Sequence, residues 1–482
     1  MPLILGTNSI KDTGYDVANS LRFNGGSTDY LYGAGGAGST KTKFTFSAWV
    51  KKSEFSATGG DDLLIGKRDS SNDRGHINFS SDAIKLLEKV SGSTTVNLIT
   101  NRLFRDHSAW YHILYIGDTT QGTEANRLKL YVNGTQETSF STATYPSENY
   151  NWQLQALTLD FGVGAFTANA AGGAPLSGYL SEVVYLDGVA GDVGDFGEFD
   201  SDSPTIWKPK DVSSLTFGTN GFYLEFKQSG TGTNSSGMGA DTSGNNNHLA
   251  VNNLTAIDQS TDTCTNNFCT MNPLTSTQDF NLSEGNLKLG ASADNEVING
   301  TLAGTIDNTN SGYYFEYKVN ASNLGNNGEG FRMGIVNVDD IMLSPFTSAR
   351  VLNVTNPALV YQTATNGGAD RTDTDIGSAS NGDIVMVAWK NGKVWLGVNG
   401  TFVNSGNPSA GSGEQFSGLS GEFIPFVMCS LTNGVNGSQF NFGNPTFSIS
   451  SGNADANGFG NFEYAPPTGF FALCTKNIAE IG

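Results

Sequence analysis

An all-β protein is predicted by three observations. Only 15% of the 482 residues are charged, while 61 are Gly and 11% are aromatic, a balance of turns and strand-forming side chains. Long amphipathic helical patterns are missing. The stretch from Gly382 to Pro408 reads, with a period of two, as paired strands. At this length one ordinary core is exceeded, so two or three domains are expected.

Five segments follow from a pass along the chain. Residues 1–20 form an arm without the alternation of a strand. Residues 21–190 are β-rich, with strands at Phe44 to Val50, Trp110 to Tyr115, Leu128 to Val132 and Gly178 to Gly188. Residues 191–275 carry an acidic run (Asp192, Asp195, Glu198, Asp200, Asp202) that reads as a solvated loop, a short strand at Phe222 to Phe226, and a polar stretch, Ser229 to Asn247, whose composition reads as loop or linker. Residues 276–450 form a second β-rich block, with strands at Gly312 to Val319 and Phe331 to Val336, and residues 451–482 a C-terminal tail. Within the second block Ile384, Met386 and Ala388 alternate with Val385, Val387 and Trp389. Asn391-Gly392 and Asn399-Gly400 then supply the positive φ values of tight turns.

The words in these segments resemble known families. Phe44 to Val50, Trp110 to Ile113, Leu128 to Gly134 and Gly178 to Tyr185 resemble, in order, four strand motifs of laminin-G-like, concanavalin A-type lectin domains. That resemblance implies an antiparallel jelly-roll sandwich. Gly382-Asp383, Lys393-Val394-Trp395-Leu396 and Asn399-Gly400 resemble the core of a SPRY domain, as do Gly312 to Val319, Phe331 to Val336, Phe423 to Val427 and Phe440 to Gly443. The connector resembles one found in marine bacteriophage virion proteins, at Phe196 to Asp200, Trp207 to Lys210, Phe217 to Phe226, Asp241 to His248, Val251 to Leu254 and Asp262 to Leu274. The close, Tyr464 to Thr475, is similar to the end of the same proteins. The fold class expected is therefore all-β, two antiparallel β-sandwich domains joined by a Gly/Ser/Asn-rich connector.

Chemistry is sparse. Gly33, Gly35 and Gly38 spell G-x-G-x-x-G, but a strand follows where a dinucleotide site needs a helix, so a flexible loop is expected. Glu198, Asp200 and Asp202 lack the second glutamate of a retaining glycoside hydrolase. The four histidines, His76, His107, His112 and His248, are not spaced as a zinc motif, and nothing marks a nucleophile. His112 reads as structural and His248 as a turn hydrogen-bonder. Cys264 and Cys269 leave a disulfide open, with no second close pair for zinc. Calcium is implied by the lectin resemblance, with Asp160, Asp187, Asp192 and Asp195 as available carboxylates. Tyr145, Tyr150 and Trp152 lie in a polar stretch and are the candidates for stacking against sugar.

A net charge of −20 argues against nucleic acid, since a duplex would be repelled. The N-terminus lacks the basic flank of a signal peptide, and no apolar window reaches bilayer length. The resemblances imply a virion structural protein (fibre, spike or capsid-decorating subunit). It would adhere to host-surface glycan or other virion proteins, form a homo-oligomer and lack catalysis. A glycan-cleaving depolymerase and a purely architectural cement protein are the alternatives.

Overall fold

The computed structural model describes residues 12–25, 29–38, 40–55, 61–69, 72–166, 173–276, 281–290, 296–320, 331–341, 350–354, 359–363, 381–429 and 437–482. The chain divides into two compact units, Thr13–Thr265 and one containing Asn266–Gly482. Both are built of antiparallel sheets, and the all-β class is observed.

In the first unit two sheets face each other. The first runs Thr135–Glu137, Leu128–Val132, Tyr111–Asp118, Lys43–Lys52, Gly178–Asp187, Ser20–Phe23 and Gln259–Ser260. The second runs Phe140–Thr144, Ser93–Leu103, Ala83–Val90, Arg74–Ser80, Asp61–Arg68, Phe161–Val163, Tyr30–Gly33 and Ala250–Asn252. Alternation places Phe44, Phe46, Ala48 and Val50 in the core, against Ile65, Ile77, Phe79, Leu86 and Leu98 from the opposite sheet.

The alternate residues of the same strand should have met water, yet Thr45, Ser47, Trp49 and Lys51 are all buried. They lie under chain that the sequence assigns to the connector. This corrects the linker reading. The expected short strand, Phe222–Leu224, belongs to the first sheet, Ala250–Asn252 and Gln259–Ser260 are further strands of the two sheets, and Leu249, Leu254 and Met238 join their core. The acidic run is likewise no free loop, because Gly197–Phe199 pairs with Trp207–Pro209 as a hairpin. Polar composition misled here because a segment that covers a finished sheet needs only scattered apolar anchors. The described part of the arm is also tied down: the Val17 N–H donates to Thr265 Oγ1 (3.0 Å), and Ser20–Phe23 is a strand.

The second unit follows the same logic. One sheet runs Met271–Asn272, Glu296–Gly300, Glu422–Cys429, Phe331–Asn337, Arg350–Val354 and Leu359–Thr363. The other runs Leu282–Ser283, Lys288–Leu289, Gln439–Asn441, Gly312–Lys318, Ile384–Lys390, Lys393–Val398 and Thr401–Phe402. The expected hairpin is present in register, Val387 opposite Leu396 and Lys390 opposite Lys393, with Asn391 at φ 51° and Gly392 at φ 69°. Val385, Val387 and Trp389 enter the main core, and Met386, Ala388 and Trp395 the opposite face. That second face is covered by Phe462, Phe470 and Cys474. The tail is therefore not separate: Phe470–Ala472 pairs in parallel with Gly312–Lys318, and Thr475–Ile481 is a helix. No helix among the described residues is long and apolar enough to cross a membrane.

Candidate carbohydrate-binding faces and the buried polar clusters

The three aromatic candidates separate. Trp152 is fully buried, its ring edge-on to Phe44 at 4.9 Å and its Nε1 donating to the Thr42 carbonyl. It is a core residue, which corrects its assignment as an exposed stacking platform. The polar neighbours that made it look exposed are the start of a short helix, Gln153–Ala156, that tucks against the second sheet. Tyr150 is half-buried, edge-on to Trp152, and its hydroxyl meets that of Thr95 at 2.8 Å. Tyr145 is half-buried against the same core.

The carboxylates proposed for calcium do not converge. Asp192 Oδ1 accepts from the Gly194 N–H and Asp195 Oδ2 from the Asp192 N–H, a reciprocal cap on the turn Val193–Asp195. Asp160 and Asp187 instead flank the loop after Gly33. A Cβ at Gly35 would collide with Asp160 Oδ1, and one at Gly38 with Gln155 Oε1 and Asp187 Oδ1. Glycine is required there for close approach, and the loop is pinned rather than free. The Gly38 N–H donates to the Gln155 carbonyl, Asn220 Nδ2 to the Ala37 carbonyl, and Lys67 Nζ to the Gly36 and Leu157 carbonyls. A strand does precede these glycines, Tyr30–Gly33, but no helix follows.

Lys67 is the positive charge that Asp160 and Asp187 face. Burial pushes its pKa down to about 8, while Asp187 and Asp160 pull it back up. Its ammonium also lies 4.1 Å from the Phe161 ring centroid. Asp187 Oδ1 is buried without a hydrogen-bond partner. Calcium takes about six to eight oxygens. Among the described residues no group of three or more His, Cys, Asp or Glu could hold a metal ion. The donor set here suits the resident ammonium better than a divalent ion.

Sequence reasoning missed the remaining polar clusters, because their members lie far apart along the chain. Glu88 is buried between the sheets and pushed up to about 7 by desolvation, with the Gln153 and Leu154 N–H groups pulling it back. Glu182, also pushed up to about 7 by burial, accepts from the Tyr223 and Tyr15 hydroxyls. On the covered face Lys51 Nζ pairs with Asp262 Oδ2 at 2.8 Å with both side chains fully buried, and Trp110 Nε1 donates to Asp262 Oδ1. Beside them Trp207 Nε1 donates to His112 Nδ1 at 3.1 Å, and His112 Nε2–H donates to Ser47 Oγ. His112 is structural, as expected, and burial holds it down at about 3. His248 Nδ1 accepts from the Asp241 N–H, the turn role expected of it. Cys264, Cys269 and Cys474 are free thiols.

Together these contacts seal the outer face of the first sheet. The second sheet keeps an outer face on which Arg68, Arg74, Lys85 and Lys89 stand around His76. The register could have been read from Arg68 and Arg74 flanking one turn and Lys85 and Lys89 sharing a parity in the next strand.

Comparison with known proteins fits this architecture. Residues 24–189 match the concanavalin A-like lectin/glucanases superfamily. No curated protein matches the chain. Among solved structures, a Bacteroides ovatus protein provisionally assigned as carbohydrate-binding aligns at 15% identity and TM-score 0.34, over 50% of this chain and 60% of that one. The chain thus spans less than two thirds of that molecule. The SPRY domain of human HERC1 aligns at 15% identity and TM-score 0.27, over 35% of this chain and 96% of that one. Tailspike protein 2 of the Escherichia coli O157:H7 bacteriophage CAB120 aligns at 17% identity and TM-score 0.28, over 41% of this chain and 27% of that one. At these scores nothing about function passes from those molecules to this chain.

Proposed function

We propose that the chain is a structural protein of a bacteriophage particle, a fibre, spike or capsid-decorating subunit that acts by adhesion and not by catalysis. One observation carries the reading: a concanavalin A-like sandwich whose first sheet is sealed outside by its own chain. A glucanase on this fold would need an open groove with two carboxylates about 5 Å apart across the bond. On the sealed face Asp262 is already paired with Lys51, and Glu182 is capped by the Tyr223 and Tyr15 hydroxyls beneath the covering chain. The connector and closing words that resemble marine phage virion proteins support the location, and the SPRY-like strands of the second unit support a role in binding. Host-surface glycan or neighbouring virion proteins are the partners, in a homo-oligomer, with no cofactor required.

Two experiments test this. Mass spectrometry of purified particles should find the chain at stoichiometric abundance, and its absence from the particle sinks the proposal. A glycan array probed with the intact protein should show binding without release of reducing sugar. Sugar release would favour the depolymerase, and silence across the array the architectural cement.

A further inference from the structure

The geometry points to an anion-binding site for a sulfated or carboxylated polysaccharide on the outer face of the second sheet, centred on Arg68, Arg74 and Lys89. This rests on the adhesion reading and names the ligand class. The three residues lie on adjacent strands in direct register, Arg68 opposite Arg74 and Arg74 opposite Lys89. Side chains so placed stand about 5 Å apart, and like charges directly opposite are destabilising. A sheet that holds three cations in one row retains a repulsion that a bound anion would relieve.

The local partners relieve it only in part. Among the described residues none of the three is in an ion pair. The Nε atoms of Arg68 and Arg74 are buried without hydrogen-bond partners. Arg68 stacks over Phe166 at 5.4 Å, which fixes the guanidinium but adds no negative charge. Asp61 attracts Arg74 from beyond ion-pair distance, but its contacts are with Lys85, at 3.9 Å, and Asn78 Nδ2. Asp73 in the adjoining turn accepts from the Ser91 N–H.

The neighbouring row lies deeper in the sheet. His76 pairs with Leu87, and Leu87 with Asn97. Asn97 Oδ1, Asn78 Oδ1 and both ring nitrogens of His76 are buried without partners. Those atoms lie beneath the surface, out of a ligand's reach, so the ligand class follows from the half-buried cationic row and the adhesion reading: sulfate or carboxylate groups carried on a polysaccharide. A DNA duplex, far larger than the row, would meet the remainder of a chain of net charge −20. That net charge does not forbid a local site, because salt screens fields beyond about 8 Å at physiological ionic strength.

The test uses the full chain and four probes: dextran sulfate, alginate, neutral dextran and a single-stranded DNA oligomer. Dextran sulfate or alginate should bind, more weakly as salt rises, while neutral dextran and the oligomer should not. Arg74→Gln and Lys89→Gln should each weaken binding about tenfold, the loss of one charged hydrogen bond. Their melting temperatures should equal or exceed that of the parent, since repulsion is removed. A purely structural role predicts the reverse, lower melting temperature with unchanged binding, and that result overturns the assignment, as does equal binding of the oligomer. Recognition of neutral array glycans with indifference to both acidic polymers would end this inference and leave adhesion standing. Indifference to all of them would end both.

Discussion

The two outer faces of the first sandwich begin from the same pattern, alternate residues of neighbouring strands, and end differently. One buries Lys51 beneath residues from the connector and pairs it with Asp262. The other leaves Arg68, Arg74 and Lys89 in a row without ion-pair partners among the described residues. Burying a charge demands a complete partner set, so the covered face is over-determined and carries the fold. An unmatched row weakens the fold slightly and remains available to a ligand. The difference separates what holds this molecule together from what it offers outward.

That contrast can be broken from the covered side first. Asp262→Ala strands a buried ammonium and should destabilise the first unit by about 3–5 kcal/mol, measured by urea unfolding. A loss under about 1 kcal/mol would mean the face is wetter than its burial implies. Trp152→Ala should cost a comparable amount, about 3–5 kcal/mol, for the cavity left in the core. A variant that stayed fully stable but lost glycan binding would return Trp152 to the candidate site.

A smaller effect should come from Glu182. Its folded pKa, about 7, lies above its ordinary 4.5. Its contribution is thus fully present below about 4.5 and is lost as pH rises through about 7. Buried His76, His107 and His112, all held below their ordinary value, act in the opposite sense, losing stability as pH falls below about 6.5. The clean measurement is therefore a difference. Glu182→Gln should gain on the parent by about 3 kcal/mol between pH 4.5 and pH 8. A pH-independent gap in melting temperature would show that Glu182 is not held protonated. The smallest stability change belongs to the open face, where Arg74→Gln should shift unfolding by a few tenths of a kcal/mol at most, upward.

The sequence carried the architecture further than it carried the site. The turns at Asn391-Gly392 and Asn399-Gly400, and the two faces of the strand before them, were legible because period and turn chemistry are local. Trp152 was misplaced because its immediate neighbours are polar while its contacts, Phe44 and Thr42, lie about a hundred residues upstream. The connector was misread for a related reason. Phe222 and Leu224 keep the period of a strand, but Met238, Leu249 and Leu254 follow none, since they plug gaps in a surface built by other strands. The cationic row needed the register of three strands, which net charge averages away.

The strand Ser20–Phe23 lies between Gly178–Asp187 and Gln259–Ser260. A ribosome therefore releases the start of this sheet long before its last edge exists. Until Asp262 and Cys264 emerge, Trp49, Trp110 and Tyr179 form an incompletely covered aromatic patch, and Lys51 awaits its counter-ion. Such long-range closure slows folding and leaves sticky surface on the nascent chain. A fragment cut at the limits of the family match would freeze the protein in that unfinished stage, so the workable unit for expression extends to Thr265.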